Sequence, residues 1–517
     1  MATIWRAHHS PWPRRSVVAA IVVFRLVNAL LTQTSFVPDE YWQSLEVAHR
    51  SVFGYGYLTW EWTDGKLRGF LHPAVFAALN LLLQKLAPTE WLPELIVVAP
   101  RLLQAVIASV GDCYVYRLAF KLYGNSRRAA NLALVCHLTA WFGFYTMCRT
   151  LSNSMEAVGT VIALYYWPLP SPSQPLPKDI DFHKALAAAA VTTLLRPTSA
   201  ILWIVVVLHH LWTFRFAGFL RLVSQALVVG MLALGAATAL DYIFYQELVF
   251  VQLNFLRFNL LTNAASFYGV HAWHWYWSQG LPAVQGPLIV PFARGAWLSL
   301  FDKSMRPTDK AANRWLLLLI TATVAALSLQ PHKEFRFVLP LLPLVACLCG
   351  STLELARPRT VKLCIAFLVL VSAPLALYTS LVHQRGTIDV MQELRTEASQ
   401  GRVSHVLFLM PCHSTPYYSH LHFENVSMSF LECPPPQFGR NEVAAFYENP
   451  LLHLQNQFDA AGFVPPSHIV LFDSLFPDIE PFLFVRNYSL MKELFHAHIV
   501  TEDHVGGKVM IFSSKLA

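Results

Sequence analysis

Two adjacent carboxylates, Asp39 and Glu40, sit in Phe36-Val-Pro-Asp-Glu-Tyr-Trp42, just after the first long apolar run of the chain. A carboxylate at that position can act as a general base toward a hydroxyl that comes within hydrogen-bond reach. Neighbouring acids on a helix point in different directions, so one can face a site while the other anchors backbone or a cationic partner. Helix chemistry accounts for the same residues: Pro38 suits a first helical position, and acids in a first turn favour the helix dipole. Both readings stand on these residues alone.

A second group is His332-Lys-Glu-Phe-Arg-Phe337, four charged or titratable residues squeezed between two apolar runs. Lys333 or Arg336 would bind a phosphate through charge-assisted hydrogen bonds, Arg offering two parallel donors. Interfacial snorkelling with an ion network among Lys333, Glu334 and Arg336 is the bland alternative. Arg149 and Arg196 fall at the same expected level, which favours a common anionic site. The third group, Phe267-Tyr-Gly-Val-His-Ala-Trp-His-Trp-Tyr-Trp277, sets His271 and His274 among aromatic rings. Trp and Tyr there read first as a membrane-interface belt. Aromatic faces with His edges also suit sugar rings, which makes His271, Trp273, His274 and Trp275 candidates for sugar contacts. The two His could share a helix face for a metal, but a third ligand is not evident, so no metal is expected.

The elements that hold these groups follow from composition. Of 517 residues, 55% are hydrophobic and 13% charged, too little charge to cover several water-facing domains. Apolar runs occur at 16–33, 70–87, 95–122, 129–148, 154–168, 184–212, 220–245, 281–300, 314–330, 336–353 and 361–382. The run at 184–212 contains Arg196-Pro197 and reads as two short helices meeting at a polar tip. The expected fold is therefore a polytopic α-helical membrane protein of roughly 11 to 13 spans, occupying 1–382 with a first loop at 34–69. Beyond 383 polar residues return, with strand-like runs at Val403 to Met410 and Ile469 to Phe472, so 383–517 reads as a small soluble α/β domain. The apolar run after Arg14 and Arg15 lacks a signal-peptide cleavage site and reads as a retained first helix.

The net charge of +7 is modest and lies in short groups between apolar runs, a pattern of topology and not of nucleic-acid binding. The Arg-rich N-terminus, Arg127-Arg128, Lys178 with Lys184, Arg215 with Arg221, Lys303 to Arg314 and Arg357 with Arg359 fit the cytosolic side. The acids, Arg149, Arg196, the aromatic stretch, His332 to Arg336 and the C-terminal domain then fall on the other, lumenal side. Sequons at Asn425 and Asn487 agree with that assignment. Between 70 and 125 the pattern demands an odd number of crossings, so one apolar run there is split or interfacial. Cys412 and Cys433 lie close in sequence, and an oxidising lumen would permit a bridge between them.

An acid, cations and an aromatic platform on one side of a membrane favour an enzyme that uses a lipid-linked phosphate donor. The acceptor hydroxyl needs a base, and the departing phosphate needs cationic stabilisation as its charge develops. A lipid transporter and a scaffold with a working C-terminal domain remain as alternatives. Against the transporter, no two-half symmetry is visible and the spans carry few ionisable residues beyond Arg25 and Asp112.

These residues resemble the lipid-dependent mannosyltransferases of glycosyltransferase family 22, whose members have the GT-C fold. The carriers are the acidic pair after the first membrane helix and the HKE-x-RF element at 332–337. Similar stretches run through 32–62, 254–259, 266–280, 381–391 and 411–420, so the resemblance spans essentially the whole chain and is nearest to the branch that builds glycosylphosphatidylinositol (GPI) precursors. It implies transfer of a third mannose, in α1,2 linkage and with inversion, from dolichyl phosphate mannose to a two-mannose GPI precursor at the endoplasmic reticulum membrane. An N-glycan precursor is the alternative acceptor. It also implies that Asp39 is the base with Glu40 as positioning partner, or the reverse, and that His332, Lys333 and Arg336, helped by Arg149 and Arg196, hold the donor phosphate. No cofactor or protein partner is implied. Ala272 departs from the Pro that the resemblance leads one to expect, which touches only local loop geometry.

Overall fold

The computed structural model describes residues 11–168, 180–214, 217–261, 267, 269–302 and 305–514; Arg6, Lys178, Arg215 and Lys303 of the orientation pattern lie outside them. The chain divides into two compact units. One comprises Met1–Leu30, Gly69–Leu71 and Arg101–Ala376, and the other Leu31–Arg68, His72–Pro100 and Leu377–Ala517. The first loop thus groups with the C-terminal residues, a grouping that hydropathy does not report.

The first unit is helical. Among the described residues five helices are long and apolar enough to cross a membrane by length and composition, beside shorter apolar ones. The run at 184–212 breaks at Arg196-Pro197 into Ile180–Leu195 and Ala200–Phe214, with a 3-10 turn at Pro197–Ser199, because Pro cannot continue the preceding hydrogen-bond ladder. The run at 129–148 also divides, into Arg127–Leu138 and Trp141–Thr146. Between 70 and 125, Leu92–Leu122 is long enough to span, whereas the 16 residues of Leu71–Leu86 reach only about 24 Å.

Close approach holds the unit together where large side chains are missing. A Cβ on Gly350 would fall 2.6 Å from the Ala133 nitrogen, so the helices Arg127–Leu138 and Leu342–Glu354 pack backbone on backbone, as small residues permit in lipid. Arg25 donates to both Asp112 oxygens, at 2.7 and 2.9 Å, and His137 reaches the same carboxylate at 3.0 Å.

In the second unit, the strands β1 (His405–Leu409), β2 (Ser427–Phe430), β3 (His468–Phe472), β4 (Tyr488–Phe495) and β5 (Lys508–Ser514) form one sheet of order β2-β1-β3-β5-β4. The pairs β1/β2 and β1/β3 are parallel, while β5 is antiparallel to both neighbours. Strand β3 is buried throughout, as a central strand covered on both faces requires. Leu407, Leu409, Ile469, Leu471, Met510 and Phe512 build the core on one face with Ile479 and Phe482 of the helix Phe476–Val485. The helix Gly386–Ser399 packs on β4 and β5. Cys412 and Cys433 form a disulfide, with Cα atoms 6.0 Å apart. The first loop joins this unit through main-chain bonds: Gln33 N donates to Ser380 O and Ser35 N to Gln384 O.

Candidate functional site

In the second unit the chain turns into a helix at Pro38, so Asp39 and Glu40 stand in its first turn. They diverge as adjacent helical acids must. Glu40 is buried and its Oε1 accepts from the Phe36 amide at 3.0 Å, closing the turn that leads into the helix; Asp39 is half-buried. The next residues, Tyr41–Leu45, form a π-helical turn before the α-helix Glu46–Phe53. Trp42, Glu46 and His49 share a stripe that meets 413–422. The Trp42 indole donates to Thr415 O at 3.0 Å, and the Glu46 carboxylate accepts from Tyr417 N, Ser419 N and Ser419 Oγ. His49 Nε2 lies 2.8 Å from His422 Nδ1. Burial pushes Glu46 up to about 7 despite these donors, and it pushes His49 down to about 3 and His422 to about 4.

In the first unit, the aromatic stretch and the cationic loop form one platform. His271 N donates to Pro331 O, the Tyr276 phenol donates to Glu334 O and accepts from Glu334 N, and Trp275 packs on Phe335 at 4.8 Å. Glu334 is held from two sides: Arg336 donates through Nε at 2.6 Å and a terminal nitrogen at 2.7 Å, and His332 Nε2 lies 3.0 Å away. Burial alone would raise the Glu334 carboxyl, but Arg336 and His332 hold it well below the ordinary range. The motif contains an internal ion network of Glu334 with Arg336 and His332, without Lys333, which fixes the guanidinium in place. Arg196 and Arg336 both lie against the Phe337 ring, 5.4 and 5.7 Å from its centroid.

Other expected members are placed differently. Lys333 donates to the carbonyls of Gln330, His271 and Pro331, which engages the three donors of its ammonium group and ties the loop together. Burial lowers its pKa. Arg149 is fully buried, with Nε on Tyr145 O and its guanidinium over the Tyr145 ring. Among the sugar candidates Trp275 is 7% exposed and stacked by His271, so it supports the loop, while Trp273 is 70% exposed and His274 faces outward. Asn425 and Asn487 are both exposed.

Sequence reasoning overlooked Glu156. Its carboxylate lies 3.3 Å from Arg196 Nε, and Arg196 also donates to Ser152 Oγ at 3.0 Å. A single acid inside the apolar run 154–168 was the available signal. Glu156, Ser199, Thr323 and Phe337 line a small cavity of about 20 Å³, room for one water, and the Ser199 and Thr323 hydroxyls have no partner among the described residues.

A helical membrane unit with clustered cations, joined in one chain to a mixed-sheet unit that holds the acids, has the GT-C fold. The solved structure of ArnT from Cupriavidus metallidurans bound to undecaprenyl phosphate has this fold: it aligns over 96% of this chain and 97% of its own with a TM-score of 0.60, at 13% identity. The family model for the Alg9-like mannosyltransferase family matches residues 16–422. The chain belongs to that family. "GPI alpha-1,2-mannosyltransferase 3" of Bos taurus is 40% identical over 509 residues, covering 97% of this chain and 89% of that protein. "Mannosyltransferase APTG1" of Arabidopsis thaliana is 39% identical over 527 residues, covering 97% and 92%. The chain is thus a multi-pass membrane enzyme, a mannosyltransferase.

Proposed function

We propose that this enzyme transfers mannose from dolichyl phosphate mannose to the 2-hydroxyl of the second mannose of a GPI-anchor precursor, adding the third mannose in α1,2 linkage. The observation that carries the acceptor assignment is the likeness to proteins of that name over 97% of the chain. The polyprenyl phosphate in the ArnT structure supports a lipid-phosphate donor. Asp39 takes the proton of the acceptor hydroxyl as its oxygen bonds to C1 of the donor sugar on the face opposite the phosphate. The C1–O bond to phosphate breaks, and the leaving phosphate carries off the electron pair. Arg336 and Arg196 stabilise that charge, with Arg336 oriented by Glu334 and Arg196 by Glu156.

The reaction side is the lumen of the endoplasmic reticulum, with the N-terminus cytosolic. The Cys412–Cys433 bridge, the exposed sequons and the cytosolic pattern of basic loops support this reading. A lipid-glycan profile of cells lacking the protein tests it. Accumulation of a two-mannose glycolipid, cleared by wild type and not by Asp39→Asn, is the expected result; truncated N-glycan precursors with normal glycolipids would move the acceptor to that pathway.

A further inference from the structure

The sheet of the second unit has two unlike ends. Tyr488 stands opposite Ser514 and His468 opposite Ser513, whereas Phe495 stands opposite Lys508 and Phe472 opposite Val509. Asn487 of the second sequon and the segment leading into β3, with Val464, therefore border one end, and the connection from β4 to β5 leaves from the other. The length of β4 separates them by about 23 Å.

That connection has an apolar tip. Ile499 is 67% exposed and Val500 38%, and the exposed Phe495 lies beside them with its ring 4.6 Å from that of His498. Apolar side chains scattered singly on a surface need no explanation, but these are gathered within one short segment. What they face follows from where the segment is tied. His498 Nδ1 lies 3.1 Å from the Tyr378 hydroxyl, the two rings run near-parallel with centroids 5.9 Å apart, and Arg385 N donates to His496 O at 3.3 Å. Tyr378 belongs to the last turn of the helix Pro358–Leu381, part of a span long and apolar enough to cross a membrane, and Leu377 beside it is exposed. Lys362 is the last charged residue before the uninterrupted run 363–382. From Lys362 to Leu381 the helix rises about 29 Å, close to the thickness of a hydrocarbon core, so Tyr378 stands within a turn of its boundary. Tyr is favoured at that level, and a segment fastened to its hydroxyl sits there too. The residues 495–503 include no Lys or Arg, and Glu502 and Asp503 close the stretch, so attraction to anionic headgroups is not what would hold it.

We propose that the segment 495–500 is a membrane contact of the sheet-bearing unit: Ile499 and Val500, with Phe495, enter the headgroup boundary of the leaflet opposite Arg357 and Arg359, beside the end of the helix. The opposite end of the sheet, with Asn487, then points into water, where an attached glycan has room. The inference rests on the membrane helix and not on the transfer chemistry.

The test uses the full chain in phosphatidylcholine nanodiscs, with a nitroxide attached at Ile499→Cys or, for comparison, at the exposed Val464→Cys. Cys364 is the one free thiol that is not buried among the described residues, so Cys364→Ser is the background for both. Collision with oxygen, which concentrates in lipid, relative to a water-soluble nickel chelate should be at least about fivefold greater for Ile499→Cys than for Val464→Cys. Equal ratios at the two positions overturn the contact. Protection of Ile499→Cys from both reagents also overturns it and assigns the tip to a protein surface, that of a second copy where spin–spin broadening accompanies the protection. If Ile499→Cys does not elute as folded protein, Val500→Cys is read for the same ratio.

Discussion

The two units differ in how they satisfy buried acids. Three acids of the helical unit pair with a cation, Asp112 with Arg25, Glu156 with Arg196 and Glu334 with Arg336, although Asp241 there accepts from Phe70 N. The sheet-bearing unit satisfies its buried acids largely with main-chain amides, Glu40 with Phe36 N, and Glu46 with the amides of Tyr417 and Ser419. The difference follows from the surroundings. Helices in lipid have no spare backbone donors, since each amide is committed within its own helix, so an ionised side chain there needs a counter-ion. A loop folded on a mixed domain has amides to spare. Removing one member of a pair in the helical unit leaves an opposite charge stranded, and removing the second should restore what was lost. Removing an acid in the other unit strands only amides, and no second charge deletion can help.

The largest effect is expected outside both schemes, at the half-buried acid. Asp39→Asn should lower kcat by at least about a hundredfold, the range for loss of a general base, with the protein still folded. Glu40→Gln, which perturbs a turn-closing acceptor, should retain more activity. Kinetics on the two purified variants decide it: an active Asp39→Asn beside an inactive Glu40→Gln would exchange their roles.

Asp112→Ala comes next. It leaves the Arg25 guanidinium buried without its carboxylate, which costs about 3–5 kcal/mol and should appear as a sharp loss of folded protein in detergent. The double variant Arg25→Met with Asp112→Ala should recover much of it. Absence of recovery would show that the pair does not act as the isolated charge couple that the comparison requires.

Arg336→Ala should raise the donor KM about tenfold or more, from loss of the proposed phosphate contact and release of Glu334 from its bidentate pair. Pairing it with Glu334→Gln should return little of the donor affinity while relieving the stranded carboxylate. An unchanged donor KM in Arg336→Ala would dismiss the phosphate role, and Glu156→Gln applies the same measurement to Arg196.

Much of this arrangement was legible in the sequence, for definite reasons. Span positions and the break at Arg196-Pro197 follow from local hydropathy and the missing proline amide, and both motifs announce themselves as charge between apolar runs. What was hidden depends on distant contacts. Trp42 meets Thr415 across 373 residues of sequence, so nothing local places the first loop with the C-terminal domain. Nor does a sequence reveal that Lys333 donates to carbonyls while Arg336 pairs with Glu334, because that depends on the path of the loop around each head group. Glu156 was overlooked for want of a visible partner, which lies 40 positions away at Arg196.

The smallest effect is also the most diagnostic of the sheet-bearing unit. Burial raises Glu46 from the ordinary 4.5 to about 7, so the folded chain holds its proton more tightly than the unfolded one. Its contribution is complete below about pH 4.5 and is lost as pH climbs through 7. Thermal stability of the wild type relative to Glu46→Gln should therefore decline between pH 5 and pH 8, while His49 and His422, held below the ordinary range, act in the opposite direction in both proteins. Glu46→Gln faces the same amides with one carbonyl oxygen and one NH2, which costs about 1–2 kcal/mol at the acid end and removes the Glu46 contribution to the slope. Melting curves of the two proteins at both pH values separate the outcomes. Parallel curves would mean that Glu46 is ionised in the fold across this range, its three main-chain and hydroxyl donors outweighing desolvation, and the amide-based scheme would then stabilise a charge as firmly as the ion pairs of the helical unit do.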